Sequence, residues 1–152
     1  MRSKTSGFTL IELMIVIVLM GILATIALPK LSQRTTALTV QSATQEVASY
    51  LAQARATAVS TGQPVWFIRS GDSVGVSTTS SSAGYLKSTD LFSAHGVHVS
   101  ARTNPTVIEF DARGMIPGGV GAALPIVLTK STARDSVCVL GLGRISVKDC
   151  TL

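Results

Sequence analysis

The sequence predicts an α+β protein in which one long N-terminal helix packs against an antiparallel β-sheet. Three observations support this fold class: an apolar run near the N-terminus, an amphipathic pattern that continues it, and short strand-like runs between turn residues further on. After a short basic segment, residues 1–7, we divide the chain into 8–28 and 29–61, the two halves of the helix, and a β-rich domain, 62–152.

The apolar run extends from Phe8 to Leu28 and contains a single charged residue, Glu12. As a helix it would be about 32 Å long, which is enough to cross the hydrocarbon core of a bilayer. A buried core helix can have a similar composition, but a chain of 152 residues is too short to surround one of this length. We therefore predict a transmembrane segment.

The flanking charges and the cysteines indicate the orientation of this segment. Arg2 and Lys4 precede it without an acid, although Lys30 and Arg34 follow it, so the positive-inside count alone is a tie. Two cysteines far downstream favour one disulfide in an oxidising compartment. We expect a single-pass membrane protein with its N-terminus in the cytoplasm and its domain outside. An ordinary signal peptide is excluded because the run is too long and lacks a small-residue cleavage site.

The helical pattern continues beyond Pro29, which should kink the helix because proline removes a backbone donor and clashes with the preceding turn. Gly62 to Pro64 then ends the helix. If continuous, it would be roughly 80 Å long. The residues predicted to form its buried face recur at spacings of three and four: Leu31, Thr35, Leu38, Ala43, Val47, Tyr50, Leu51, Ala54 and Ala58.

The remaining chain changes to the short runs of a β-rich domain, separated by glycine, proline and serine turn signals. The serine-rich segment from Ser77 to Gly84 is predicted to be an exposed loop. The predicted strands are Val65–Arg69, Val74–Ser77, Val97–Ala101, Thr106–Phe110, Ile126–Thr129, Val137–Leu140 and Arg144–Val147.

The last two strands can be placed in register. A turn at Gly141–Gly143 would pair Cys138 with Ser146. Cys150 has the same parity but lies four residues beyond Ser146, so a Cys138–Cys150 disulfide requires the tail to bend back after Val147. Such a bridge would attach the C-terminus to the sheet.

The N-terminal residues 4–12, with the sequence KTSGFTLIE, closely resemble the class III signal of type IV pilins and type II secretion pseudopilins. The shared features are a short basic leader, glycine before phenylalanine, glutamate four residues later, and an apolar run with glycine and proline at the usual places. The resemblance implies that residues 1–7 are a prepilin leader. It also implies that a prepilin peptidase cuts between Gly7 and Phe8 on the cytoplasmic side and methylates the new amine of Phe8.

Glu12 is the one charged residue of the apolar run, and its carboxylate would be placed in or near the membrane. A carboxylate within a membrane costs about 3 kcal/mol and is usually functional, although a glutamate at the interface costs little. The resemblance implies that Glu12 binds the N-terminal amine of the neighbouring subunit during filament assembly. Such an ion pair would be specific for register, because an unpaired charge in a low dielectric is penalised.

Further downstream, residues 51–58, 62–65, 108–114 and the pair Gly143-Arg144 resemble minor pilins of the FimT and FimU type and H-type pseudopilins. The resemblance implies a structural minor subunit of a type IV pilus, near the tip, where it links priming subunits to the shaft. Its partners would be other pilin subunits, the prepilin peptidase and the inner membrane. A minor pseudopilin of a type II secretion system is the alternative.

DNA is a possible further partner, though not the favoured one. Some FimT-like pilins bind DNA through a C-terminal Gly-Arg-x-Arg pattern, whereas residues 143–146 read GRIS and lack the second arginine. Lys148 is predicted on the same strand face as Arg144, so a patch that holds phosphates without reading sequence is conceivable. Scattered surface charge explains the same residues more simply. The other candidate contacts are Lys130, Arg134 and Arg113.

Enzymatic and cofactor sites are not indicated. His95 and His98, with Asp90 nearby, are more typical of solvated side chains than of a metal site. The glycines of residues 114–121 and 141–143 do not open a helix after a strand, as a nucleotide site requires. No nucleophile motif surrounds a serine. We therefore expect a non-enzymatic protein without a metal or cofactor.

Overall fold

The structure, a computed structural model, describes residues 8–101, 106–118, 124–148 and 150. It confirms the α+β class. The helices are α1 (Leu10–Thr61) and α2 (Leu91–His95), with a 3-10 turn at Ser82–Gly84. The strands are β1 (Val65–Ser70), β2 (Ser73–Ser77), β3 (Tyr85–Asp90), β4 (His98–Ala101), β5 (Thr106–Phe110), β6 (Leu124–Lys130), β7 (Ala133–Val139) and β8 (Ile145–Val147).

The chain divides into two compact units, an N-terminal unit that ends at Thr35 and a second unit that begins at Thr36. In the N-terminal unit the side chains of α1 from Leu10 to Thr35 are exposed. Among the described residues, α1 is one helix that is long and apolar enough to cross a membrane by length and composition. Pro29 lies inside α1, and the kink predicted there remains a prediction.

In the second unit, α1 buries one face against the β-strands. The predicted stripe is confirmed from Ala43 onward, but Leu31 and Leu38 are each 61% exposed, and Thr35 is exposed as well. The reason is angular: Leu38 precedes Val47 by nine residues, or two and a half turns, which places it on the opposite side of the helix. Val40 and Thr44 are buried instead. The buried positions of α1 are Val40, Ala43, Thr44, Val47, Tyr50, Leu51, Ala54 and Ala58.

The strands form two antiparallel sheets, where the sequence predicts one. Sheet A has the order β3-β2-β1-β5, and sheet B has the order β4-β6-β7-β8. The sequence analysis missed β3 because most of its side chains are exposed and show no apolar alternation. It also missed α2, a single short helix that Asp90 caps by accepting from the Ser93 amide at 2.8 Å.

A buried arginine joins the two sheets. Arg69 of β1 is 3% exposed, and its guanidinium donates to Thr106 Oγ1 of β5 at 3.3 Å. It also donates to the carbonyl of Gly71 at 2.9 Å and to that of Val99, in β4 of sheet B, at 3.2 Å. Burial lowers the pKa of the guanidinium, and the charge of Asp72 acts in the opposite direction. The guanidinium therefore donates hydrogen bonds to strands of both sheets.

The last hairpin has the predicted register. Cys138 pairs with Ser146, while Val139 and Val137 pair with Ile145 and Val147. Val137 and Val139 are buried in the core and Ile145 packs against it, so this face of sheet B points to the interior.

Candidate functional site

The N-terminus of α1 is closed by a reciprocal contact between Thr9 and Glu12. Thr9 is the N-cap, and its carbonyl accepts from the Leu13 amide at 3.3 Å. Glu12 Oε2 accepts from the amide and the hydroxyl of Thr9, each at 3.3 Å, and Thr9 Oγ1 accepts from the Glu12 amide at 3.3 Å. This is a capping box, whose Thr-x-x-Glu signature was visible in the sequence but not identified there.

The capping box bears on the role predicted for Glu12. Among the described residues, the three side-chain contacts of the Glu12 carboxylate and amide involve Thr9, and the carboxylate contributes Oε2 to them. Because a carboxylate has about four lone-pair sites, Glu12 can hold the helix end and still accept a further donor such as an ammonium. Phe8, the predicted first residue of the processed chain, is 87% exposed. Gly7 lies outside the described residues.

The cysteines form the predicted disulfide. Cys138 on β7 and Cys150 are bonded, with their Cα atoms 5.5 Å apart. Lys148 has a φ of 76°, so the backbone leaves the strand path directly after Val147, as the predicted bend requires. Ser136 Oγ lies 3.3 Å from the Cys150 sulfur. The bridge attaches the C-terminal tail to the outer face of sheet B.

We expect the disulfide to stabilise the second unit by about 2–4 kcal/mol, because it closes a loop of 12 residues. The measurement is denaturant unfolding of the full chain with and without reductant, followed by Trp66 fluorescence. The Cys138→Ser/Cys150→Ser double variant serves as the control, since reductant should not change its midpoint. An unchanged midpoint for the reduced wild-type chain would contradict the prediction.

Three segments that are far apart in sequence meet at two glycines. Gly114 and Gly143 have φ values of 73° and 74°, and a Cβ placed on Gly143 would lie 2.1 Å from the Gly114 carbonyl oxygen. The same Cβ would lie 3.2 Å from Arg55 Nε, and one on Gly114 would lie 3.1 Å from it. Arg55 of α1 therefore crosses both glycines, and we name these three residues the arginine–glycine corner.

The corner is held by the turn that follows β5. Asp111 Oδ1 accepts from the amides of Arg113 and Met115, each at 2.9 Å. The Met115 amide contributes most to lowering the pKa of Asp111, and the Arg113 side chain lowers it further. The Ile116 amide then donates to the Gly141 carbonyl at 3.2 Å. All three parts of the corner belong to the segments on which the resemblance to minor pilins rests.

The basic residues considered for DNA contact do not form one cluster. Register places Arg134 opposite Thr129 on the outer face of sheet B, the face that also carries Cys138 and Ser146. Arg134 and Lys148 line a common groove of about 430 Å³ that also contains Asp135. Arg144 extends the same alternation and is exposed.

Lys130 and Arg113 make contacts away from this outer face. Lys130 shares the parity of the buried Ile126 and Leu128, and its ammonium donates to the His95 carbonyl. Arg113 Nη2 lies 2.9 Å from Asp111 Oδ2. The structure therefore brings Arg134, Arg144 and Lys148 to one face but not Lys130.

Each histidine contacts one carboxylate. His95 Nε2 lies 2.8 Å from Glu46 Oε2, which ties α2 to α1, and His98 Nδ1 lies 2.9 Å from Asp72 Oδ2. Within the described ranges, no three histidine, cysteine or acidic side chains are grouped so that they could hold a metal ion. The histidines thus fasten elements of the fold to each other.

Comparison with known proteins gives two family matches and two structural matches. A model of the prokaryotic N-terminal methylation motif matches residues 2–28, and one described as type II transport protein GspH matches residues 43–143. Two crystal structures of the type IV minor pilin FimU from Pseudomonas aeruginosa strain PAO1 share the fold at 20% identity. They cover 73% and 72% of this chain and 89% and 93% of their own, with TM-scores of 0.60 and 0.58. No curated sequence matches significantly.

Proposed function

The chain belongs to the GspH family of pilin-like proteins, and from that premise we propose that it is a structural minor subunit of a type IV pilus. The observation that carries the proposal is the methylation motif at residues 2–28, which includes the exposed apolar part of α1 and is followed by the family domain at residues 43–143. A helix whose described apolar side chains are exposed requires a bilayer or neighbouring helices to bury them. A filament of pilin-like subunits provides such neighbouring helices.

Localisation follows from the same segment. We propose that the new chain spans the inner membrane once, with the basic leader in the cytoplasm and the domain in the periplasm, and that it then enters the filament. The Cys138–Cys150 disulfide supports a domain in an oxidising compartment. A position near the tip, between priming subunits and the shaft, suits a subunit that resembles proteins described as minor pilins.

Processing is the most direct test. We expect a prepilin peptidase to remove residues 1–7 and to leave a chain that starts at N-methylated Phe8. Mass spectrometry of the chain purified from filaments of a host with its own peptidase should show this mass. The matched control is Gly7→Val, which should keep its leader, because a branched side chain fills the small position before the cut. Filaments that contain an intact Met1 would contradict the proposal.

A minor pseudopilin of a type II secretion system is the second candidate, favoured by the description of the matching family. The two candidates predict different losses when the chain is deleted. Loss of surface filaments with normal secretion supports the pilus, whereas loss of secretion with normal filaments supports the pseudopilus. Removal of the leader and assembly of the subunits are expected to be the same for both candidates.

DNA uptake is the third candidate. Its support is the shared outer face of Arg134, Arg144 and Lys148, because three cations on one face can neutralise phosphates. The nearby Asp135 and the separate engagement of Lys130 weaken it. Salt-sensitive binding of duplex DNA that Arg144→Ala removes would raise this candidate above the other two.

A further inference from the structure

Strand β8 forms an edge of sheet B, and its backbone amides and carbonyls point alternately toward β7 and away from it. The Leu140 amide donates to the Arg144 carbonyl, and the Lys148 amide donates to the Ser136 carbonyl, each at 2.9 Å. Hydrogen-bonded and non-hydrogen-bonded pairs alternate along an antiparallel ladder. Residues 144, 146 and 148 therefore bond to β7, and the amides and carbonyls of Ile145 and Val147 point away from it.

These outward groups form an open edge. In sheet B, β8 pairs with β7 and with no other described strand. Within the described part of the chain, the amides of Ile145 and Val147 have no backbone acceptor. An edge of this kind is a template for pairing with another extended chain. Natural edges are protected by an internal lysine or proline or by being very short, and β8, with the sequence Ile-Ser-Val, has three residues and neither lysine nor proline.

An apolar groove lies beside this edge. Its volume is about 540 Å³, and it is lined by Ala52, Arg55, Ala56, Val59, Ser60 and Ile145. Ala54 and Ala58 of α1 are fully buried, whereas Val59 is 53% exposed. The small side chains on the uncovered side leave room for one more strand, which would lie about 4.8 Å from β8. The groove therefore has the position that a ninth strand would occupy.

The groove and the edge beside it carry cations. Arg55 lies on the groove itself, whereas Arg144 and Lys148 are exposed at the two ends of β8 on the outer face of the sheet, where Lys148 shares the second groove with Asp135. No acid is among the residues that line the groove beside β8, and within the described ranges none of these three cations is in an ion pair. Charge complementarity consequently favours an acidic occupant.

We propose that β8 and this groove bind an extended, acidic segment of a partner protein by strand addition. The segment pairs with the outward amides and carbonyls of Ile145 and Val147, places small apolar side chains against Ala52 and Ala56, and directs carboxylates to the flanking cations. The proposal uses only groups of the second unit and does not depend on whether the filament is a pilus or a pseudopilus.

The probe is a labelled synthetic peptide in which valine alternates with serine between two aspartates at each end. The full chain in detergent micelles is titrated with it, and amide hydrogen exchange is followed at β8. We expect the amides of Ile145 and Val147 to exchange freely in the free chain and to slow roughly tenfold or more in the complex. The Ser146 amide, which faces β7, should be protected in both states. The same peptide with lysine in place of aspartate should bind at least roughly tenfold more weakly.

Two substitutions on α1 give a matched pair. Ala56→Glu places a bulky negative group in the groove and should weaken peptide binding roughly tenfold or more. Gln53→Glu adds the same charge at an exposed position that does not line the groove, and should change binding less than about twofold. Both sites are exposed, and glutamate is a good helix former, so the fold should persist in each.

Several results would overturn the proposal. Protection of Ile145 and Val147 in the free monomer would show that another part of this chain covers the edge. Protection that rises with protein concentration alone would identify a second copy as the occupant. Absence of peptide binding, equal binding of the lysine peptide, or equal weakening by Ala56→Glu and Gln53→Glu would each show that the edge and groove do not select an acidic strand.

Discussion

Replacing Gly143 with alanine is expected to destabilise the second unit by about 3–5 kcal/mol. Two costs combine. Gly143 has a φ of 74°, where an L side chain costs about 1–2 kcal/mol. The new Cβ would also lie 2.1 Å from the Gly114 carbonyl oxygen, a backbone atom that no side-chain rotation can move aside. The arginine–glycine corner would have to open, and with it the attachment of the β7–β8 turn to the turn after β5.

Gly118→Ala is the matched control. Gly118 has a similar φ of 70°, but a Cβ there meets no heavy atom of the described residues within 4 Å. Gly118→Ala should lower the free energy of unfolding only by the conformational cost of about 1–2 kcal/mol. Denaturant unfolding of the full chain in detergent, followed by the fluorescence of Trp66, measures both free energies. Equal losses for the two variants would contradict the close packing at the corner.

The parts of the fold that the sequence predicts are those with a local signature. The pairing of Cys138 with Ser146 follows from a short glycine turn and the two-residue period of strands, and the structure confirms it. Strand β3 lacks such a signature. It pairs with β2, and the Tyr85 ring lies over Gly75 of β2 so closely that a Cβ on Gly75 would be 2.8 Å from the ring. Contacts between distant residues of this kind cannot be read from periodicity.

The candidate site likewise combines features with a local sequence signature and contacts between distant residues. The capping box of Thr9 and Glu12 and the parity of Lys130 with Ile126 could both have been derived from spacing alone. The arginine–glycine corner could not, because it brings Arg55 and Gly143 together from opposite ends of the domain. Resemblance to minor pilins identified these segments without indicating that they touch.

Both Glu12→Ala and Glu12→Gln are expected to reduce incorporation into filaments at least tenfold relative to the wild-type chain, while membrane insertion persists. The reason is the proposed pairing of the Glu12 carboxylate with the N-terminal amine of the neighbouring subunit. Leaving a buried charge unpaired costs about 3–5 kcal/mol, and every 1.4 kcal/mol corresponds to roughly a factor of ten in an equilibrium constant. Glutamine cannot supply the charge.

The glutamine variant separates this role from the capping box. A glutamine at position 12 can still accept from the Thr9 amide, so it preserves the helix end that alanine disrupts. The measurement is the ratio of the chain in sheared filaments to the chain in the membrane fraction, by immunoblot. Thr9→Ala is the control, because it weakens the cap and keeps the carboxylate, and it should incorporate nearly normally. If Glu12→Gln assembles like the wild type while Glu12→Ala and Thr9→Ala do not, the helix cap, and not the ion pair, is what assembly requires of Glu12.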